Sequence, residues 1–430
     1  MAPSLWSPRS RAAAVDYRAL VVLVLAGGVD GHHMLVPLDA GYGDYQRSRT
    51  SLAMVKSSLV PLSGKVSGRS FGLHPALGAW APLYAAGRLA FVANAGPLIQ
   101  PVTAAQVMAG TAPVPMFLMS HYDQALLQQG RDPLIHLSSG WAGRGVEALP
   151  RELHNPLAAM DLSLGSVVAR GPSTLPAALR TGYVNWAWLD FSDPHSRGTL
   201  TLRQLAANQS TNAYQAQYLR TFQAALEADL LQSRLIPRAV TPTQDFGGSQ
   251  LGDHLRQLAS MLPVFVAEGF RRQVFAVNWG RFDTHDGQRG TGQYAHDTQF
   301  ADLAQAVAAF DAAVHMHGLG ENVTVLMLTD FGRTLRTSSG GGSEHAWGTH
   351  LFALGGAVAG GTVHGIFPDL TLGGPDDFDV DKGGRHVPTT STDQVAASVL
   401  RWLGVPAERL NDIVPYLHHF ASPTIALMRA

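Results

Sequence analysis

The chain of 430 residues contains no cysteine. That excludes disulfides, zinc–thiolate sites and cysteine nucleophiles at one stroke. It does not fix a compartment, because an exported chain of this size folds without disulfides. Charge is also sparse: charged residues make up 15%, and the net charge is −1. No basic stripe of the kind that nucleic acid requires stands out, so that class of partner is set aside. Long apolar runs are missing too. The best stretch, "LVVLVLA" from Leu20 to Ala26, has the length of a strand, far short of the ~20 residues of a membrane span. Before it, "MAPSLWSPRSRAAAVDY" has no apolar core of a secretory signal, and residues 1–18 are expected to be a disordered N-terminus.

What is present is apolar and rich in histidine. Hydrophobic residues reach 46%, enough for a sizeable core, and there are 18 histidines to serve as nitrogen ligands. Segments reading as strands alternate with segments reading as helices. "ALVVLVLA", "RLAFVANAG", "QVFAVNW" and "VTVLMLT" are strands; "HPALGAWAPLYAAG", "TQFADLAQAVAAFDAAVHMHGLG" and "STDQVAASVLRWLGV" are helices, the last with Ser391 or Thr392 as N-cap. Nearly continuous apolar strands predict an α/β fold with a mostly parallel central sheet sandwiched by helices. Residues 19–430 read as one α/β domain. The stretch of about 152–262, with the amphipathic "TLRQLAANQSTNAYQAQYLRTFQAALEADLLQ", reads as a helical insertion or cap.

Ligands of open α/β sheets bind beyond the carboxyl ends of the strands. Three strands here run into acid-bearing loops: "LVVLVLAGGVDG" delivers Asp30, "VFAVNWGRFDTHDGQ" delivers Asp283, His285 and Asp286, and "VTVLMLTDFGRT" delivers Asp330. "SEHAWGTH" follows with Glu344, His345 and His350. Carboxylates and imidazoles converging at one sheet edge suit zinc, manganese or iron, and a carboxylate-rich half also accepts magnesium or calcium. A lone aspartate after a strand is more often a helix cap or turn former, so the joint pattern carries the expectation. Arg333, three residues after Asp330, is a candidate anion clamp. His32 and His33 read as solvated loop residues, and His74 as a capping or packing residue.

A nucleophile is harder to find. "GRSFG" around Ser70 lacks the preceding apolar strand of a nucleophile elbow. H-E-x-x-H, Walker-A and G-x-G-x-x-G patterns are absent. Ser120 in "MFLMSHYDQ", flanked by His121 and Asp123, is the candidate hydroxyl; the alternative is that it caps the helix beginning there.

Taken in order, "LVVLVLAGGVDGHHMLVPLD", "FGLHPAL", "SHYDQ", "GWAGR", "NWGRFDTHDGQ", "TDFGRT", "SEHAWGTH" and "VPTTSTDQVAASVLRWLGV" resemble the bacterial family known as domain of unknown function 1501. That family is similar to the alkaline phosphatase and sulfatase superfamily, and the resemblance runs from about Ala19 to Leu417. It implies a metal-dependent hydrolase of a phosphate or sulfate ester or a related anionic substrate, small or polymer-linked. Asp30, Asp283, His285, Asp330, His345 and His350 would hold divalent metal, zinc in the first place, with manganese, magnesium or calcium as alternatives. Ser120 and Arg333 would be catalytic. It also implies export to the periplasm or beyond. The chain departs from the superfamily in having Asp330-Phe331 where many relatives have Asp-His, and no S-x-P-x-R. The other reading is an exported binding or assembly protein that keeps the fold without catalysis; a third leaves the strand-end acids purely structural.

Overall fold

The computed structural model describes residues 16–130, 139–163, 165–179, 193 and 195–429. Residues 1–15 of the N-terminal segment expected to be disordered lie outside the described residues. The last part of that segment is packed. The Asp16 carboxylate pairs with Arg271 and Arg272, and buried Tyr17 donates its hydroxyl to Gln273 Oε1 at 2.7 Å.

In chain order the strands are β1 (Arg18–Leu25), β2 (Leu35–Pro37), β3 (Val60–Pro61), β4 (Phe71–Leu73), β5 (Leu89–Gly96), β6 (Ala159–Asp161), β7 (Ala177–Ala178), β8 (Arg272–Trp279), β9 (Val323–Thr329), β10 (Gly332–Arg333), β11 (His345–Ala346), β12 (Thr349–Leu354), β13 (Val363–His364) and β14 (Thr390–Ser391). Nine of them form one sheet in the order β13-β5-β12-β9-β1-β8-β6-β7, with β14 also on β5. β1 runs parallel to both β8 and β9. Only β12 runs antiparallel, between β9 and β5. The sheet is therefore mostly parallel, and helices flank it. Every residue of β5 and β9, and all of β1 after Arg18, is buried, as expected of parallel strands covered on both faces.

Local chemistry explains the helix boundaries. Ser391 caps the helix Thr392–Leu403 through a reciprocal box with Gln394, and Gly404 ends it at φ 110°. The helix expected over 74–87 is instead a tight turn, Pro75–Trp80, followed by the short helix Ala81–Ala85. Pro75 and Pro82 each sit at a helix start, where a missing N–H is tolerated, and so break the run in two. Within 152–262 the helices Arg197–Ala206, Ala213–Leu235 and Gln250–Ala267 are accompanied by β6, which extends the main sheet beside β8.

Register positions the site. Leu25 of β1 is level with Trp279 of β8 and with Thr329 of β9, so three acid-bearing loops leave the sheet side by side. β12, being antiparallel, starts at this same edge, with Thr349 beside Ala95 near the end of β5. The β1 loop must lie flat against its neighbours. A Cβ on Gly27 (φ +103°) would stand 2.5 Å from the Asp283 nitrogen, and one on Gly28 (φ +81°) 2.4 Å from the Phe331 ring. Gly27→Ala should therefore destabilise the protein by about 2 kcal/mol or more, read as a lower urea midpoint; an unchanged midpoint would contradict this close packing.

Candidate metal centre

The β8 and β9 loops deliver their acids to one spot, where the β1 loop adds a backbone N–H. At the end of β9, Asp330 Oδ2 accepts from the Gly27 N–H at 2.9 Å and lies 2.9 Å from His121 Nδ1. Beyond β8, Asp283 Oδ1 lies 2.5 Å from Arg333 Nη2, 3.0 Å from His285 Nε2 and 3.2 Å from His345 Nε2. Asp283 Oδ2 lies 3.2 Å from His121 Nε2. The two ring nitrogens His285 Nε2 and His345 Nε2 are 3.1 Å apart. Behind them, His285 Nδ1 faces Glu344 Oε2 at 2.6 Å and His345 Nδ1 faces the Met119 carbonyl at 2.8 Å. Phe331, fully buried, seats the rings of His121 and His345 at centroid distances of 4.7 and 4.3 Å.

The electrostatics follow from these neighbours. Burial raises the Asp283 pKa, but the Arg333 hydrogen bond and charge outweigh it and hold the carboxyl at about 2. His345 is lowered, first by burial, then by the Arg333 charge; its bond to the Met119 carbonyl and the Asp283 carboxylate act the other way.

Four expected residues thus come together: Asp283, His285, Asp330 and His345. His121 joins them, brought in by a loop in which the sequence drew attention to Ser120. Other expectations need correction. Ser120 Oγ donates to Asp123 Oδ2 at 3.0 Å and accepts from the Asp123 N–H at 3.2 Å, closing the turn into the helix Asp123–Gln128. Arg333, expected as an anion clamp, is buried with every nitrogen engaged: Nε to the Gly28 carbonyl at 2.9 Å, Nη1 to the Ser343 carbonyl at 2.9 Å, and Nη2 to the Gly27 carbonyl and Asp283.

Asp30 and His350 are occupied elsewhere. Asp30, fully buried, caps the helix Gly31–Met34 through the His33 N–H at 3.1 Å. Its Oδ2 pairs with the buried Arg49 and accepts from Gln288 Nε2 at 2.7 Å. Burial opposes its charge, yet Arg49 above all keeps it well below the usual carboxylate range. His350 Nδ1 accepts from the Asn94 N–H at 3.0 Å, and its ring packs on Phe367 and His32. His32 and His33, expected in a solvated loop, are buried.

A second group, His33, His74 and Asp297, is also compact enough to suggest a cation. Its tautomers say otherwise. His74 Nδ1 accepts from the Ala76 N–H at 3.1 Å, so its proton sits on Nε2 and goes to Asp297 Oδ1 at 2.8 Å. His33 Nδ1 faces two donors, Gln288 Nε2 at 3.1 Å and Arg49 Nη2 at 3.3 Å, which leaves its proton on Nε2 as well. At His74 an N–H rather than a lone pair meets the carboxylate, so that ring is hydrogen-bonded to Asp297 instead of open to a cation.

The chain belongs to the family described as "Protein of unknown function (DUF1501)", whose model matches residues 17–376. Among solved structures it is similar to PsFucS1, a sulfatase from Pseudoalteromonas sp., at 11% identity. That similarity covers 91% of this chain and 76% of that one, with a TM-score of 0.33, too low to bear on fold or chemistry. No curated protein matches.

Burial lowers the pKa of His32, His33, His296, His350 and His386, to about 4 for His33 and about 3 for His350. The folded state thus selects their neutral forms. The stability they contribute is complete above about pH 6.5 and is lost as pH falls toward those folded values, by about 1.4 kcal/mol per pH unit for each histidine. Urea midpoints should fall steadily from pH 7 to pH 4.5; a flat profile would contradict it.

Proposed function

We propose that the protein is a metal-dependent hydrolase of an anionic ester, of phosphate or sulfate type. One observation carries the reading: three imidazole nitrogens each stand 3.0 to 3.2 Å from an oxygen of the Asp283 carboxylate at the carboxyl edge of a mostly parallel sheet. The donor set suits a divalent cation, since imidazole nitrogen and carboxylate oxygen together match zinc and its neighbours. Such an ion supplies Lewis-acid polarisation of a phosphoryl or sulfuryl oxygen.

The surrounding residues have definable tasks in this reading. Asp283, held at a pKa of about 2 by Arg333 despite its partial burial, stays ionised at any working pH. Glu344 and the Met119 carbonyl fix the rings of His285 and His345. Phe331 packs against the rings of His121 and His345 and keeps them from tilting away. Ser120 Oγ is bonded to Asp123, and in this reading water is the attacking group. Family resemblance supports export to the periplasm or the exterior. No helix among the described residues is long and apolar enough to cross a membrane.

A non-catalytic binding or assembly role is the second reading, favoured by the commitment of both Ser120 and Arg333 to internal bonds. Purified protein supplied in turn with zinc, manganese, magnesium and calcium should hydrolyse p-nitrophenyl phosphate or p-nitrophenyl sulfate. Chelator should abolish turnover, and Asp283→Asn should lower it by at least about 100-fold. Folded, metal-loaded protein that turns over neither ester would favour the binding reading.

A further inference from the structure

Each imidazole of the cluster has one nitrogen already committed to a group that can only accept. His345 Nδ1 meets a backbone carbonyl, Met119 O, at 2.8 Å. His285 Nδ1 meets Glu344 Oε2 at 2.6 Å, and His121 Nδ1 meets Asp330 Oδ2 at 2.9 Å. A carbonyl or an ionised carboxylate has no proton to give, so in each neutral ring the proton sits on Nδ1. Three Nε2 lone pairs are left, and all three turn toward Asp283, at 3.0 to 3.2 Å from its oxygens.

We infer that the centre holds one cation, bound by Nε2 of His121, His285 and His345 and by the Asp283 carboxylate, while Asp330 and Glu344 act as positioning residues behind the ligands. This rests on the metal reading proposed above and goes beyond it in two respects. It removes Asp30, Asp330 and His350 from the ligand set that family resemblance implies, and it adds His121. It also selects the metal class. Three imidazoles favour zinc or a neighbouring transition ion, whereas magnesium and calcium call for oxygen donors.

Geometry agrees with the assignment. Ligands about 2.1 Å from a tetrahedral ion are about 3.4 Å from one another; His285 Nε2 and His345 Nε2 are 3.1 Å apart, and the ligand atoms of His121, Asp283 and His345 lie within 4.8 Å of one another. Three acceptor nitrogens facing a carboxylate repel one another unless a positive charge lies among them. A ligand histidine that passes its other N–H to a carboxylate or carbonyl is the usual outer support of such ions, and here all three have one. Asp330 is further anchored by the Gly27 N–H at 2.9 Å, so its Oδ2 is spent on two donors. Asp30 is closed off by Arg49 and Gln288, which leaves the chain without the acid that a second ion would need from the β1 loop.

Zinc titration of the chelator-stripped full chain, followed by calorimetry, separates the roles without reference to turnover. The unsubstituted protein should take up one equivalent of zinc and no measurable magnesium. His121→Ala and Asp283→Asn should abolish saturable binding. Asp330→Asn and Glu344→Gln should keep the single equivalent with affinity weakened roughly 10- to 100-fold. Circular dichroism checks that each variant is folded, and Glu344, half exposed, carries the test if Asp330→Asn is not. Two equivalents in the unsubstituted chain, unaltered binding in His121→Ala, or complete loss in folded Asp330→Asn would overturn the assignment. Zinc binding as described without ester hydrolysis would leave it standing and remove only the catalytic reading; absence of zinc binding would overturn the assignment, and hydrolysis with another of the four metals would then keep the catalytic reading alone.

Discussion

Arg333 is the interaction on which the site depends. Its guanidinium lies buried where three loops meet, donating to the Gly27 and Gly28 carbonyls of the β1 loop, to the Ser343 carbonyl and to the Asp283 carboxylate. Taking such a charge out of water is expensive, and the bonds succeed only because together they engage all three of its nitrogens. Burial lowers its own pKa while Asp283 holds it up. Break that knot, and the β1 loop, the β8 loop and the segment leading to His345 lose their common anchor. Removing Asp283 leaves the buried guanidinium without its counter-ion, at a cost tempered by the solvent exposure of the Asp283 side chain.

The sheet edge thus contains two carboxylates, each balanced by an internal guanidinium, with opposite outcomes. Asp30, paired with Arg49, is sealed on every side and works as a helix cap. Asp283, paired with Arg333, keeps a side chain 41% exposed and turns its oxygens to three imidazoles. The contrast with the His33–His74–Asp297 group is equally physical. In that group the outer hydrogen bonds push protons toward the carboxylate; around Asp283 they draw protons away from it. Ring composition alone does not make a metal site. The tautomers do.

Much of this was legible in the chain. Apolar runs of strand length marked β1, β5, β8 and β9, and the acids at the ends of three of them marked the edge where Asp283 and Asp330 meet. Residues next to a strand inherit their position from it, which is why His285 and His345 lie beside Asp283 as the sequence suggests. What stayed hidden depends on contacts distant in sequence. His121 lies 209 residues from Asp330, in a segment with no strand to announce it. Arg49, in the polar stretch "GYGDYQRSR", has no apolar pattern around it to mark its burial, yet it is fully buried against Asp30. His350 shared a loop motif with His345, but it lies inside β12 and its ring joins His32 and Phe367. Phe331, directly after Asp330, is the floor under two of the imidazoles.

The central claim is that the imidazoles of His121, His285 and His345 surround one cation beside Asp283. Anomalous diffraction at the zinc edge, from crystals of the full chain grown with zinc, tests it most directly. The account predicts one strong peak per chain, bounded by the three Nε2 atoms and the Asp283 carboxylate. A peak at Asp30 or between His33, His74 and Asp297, or no peak at the Asp283 cluster, would contradict it.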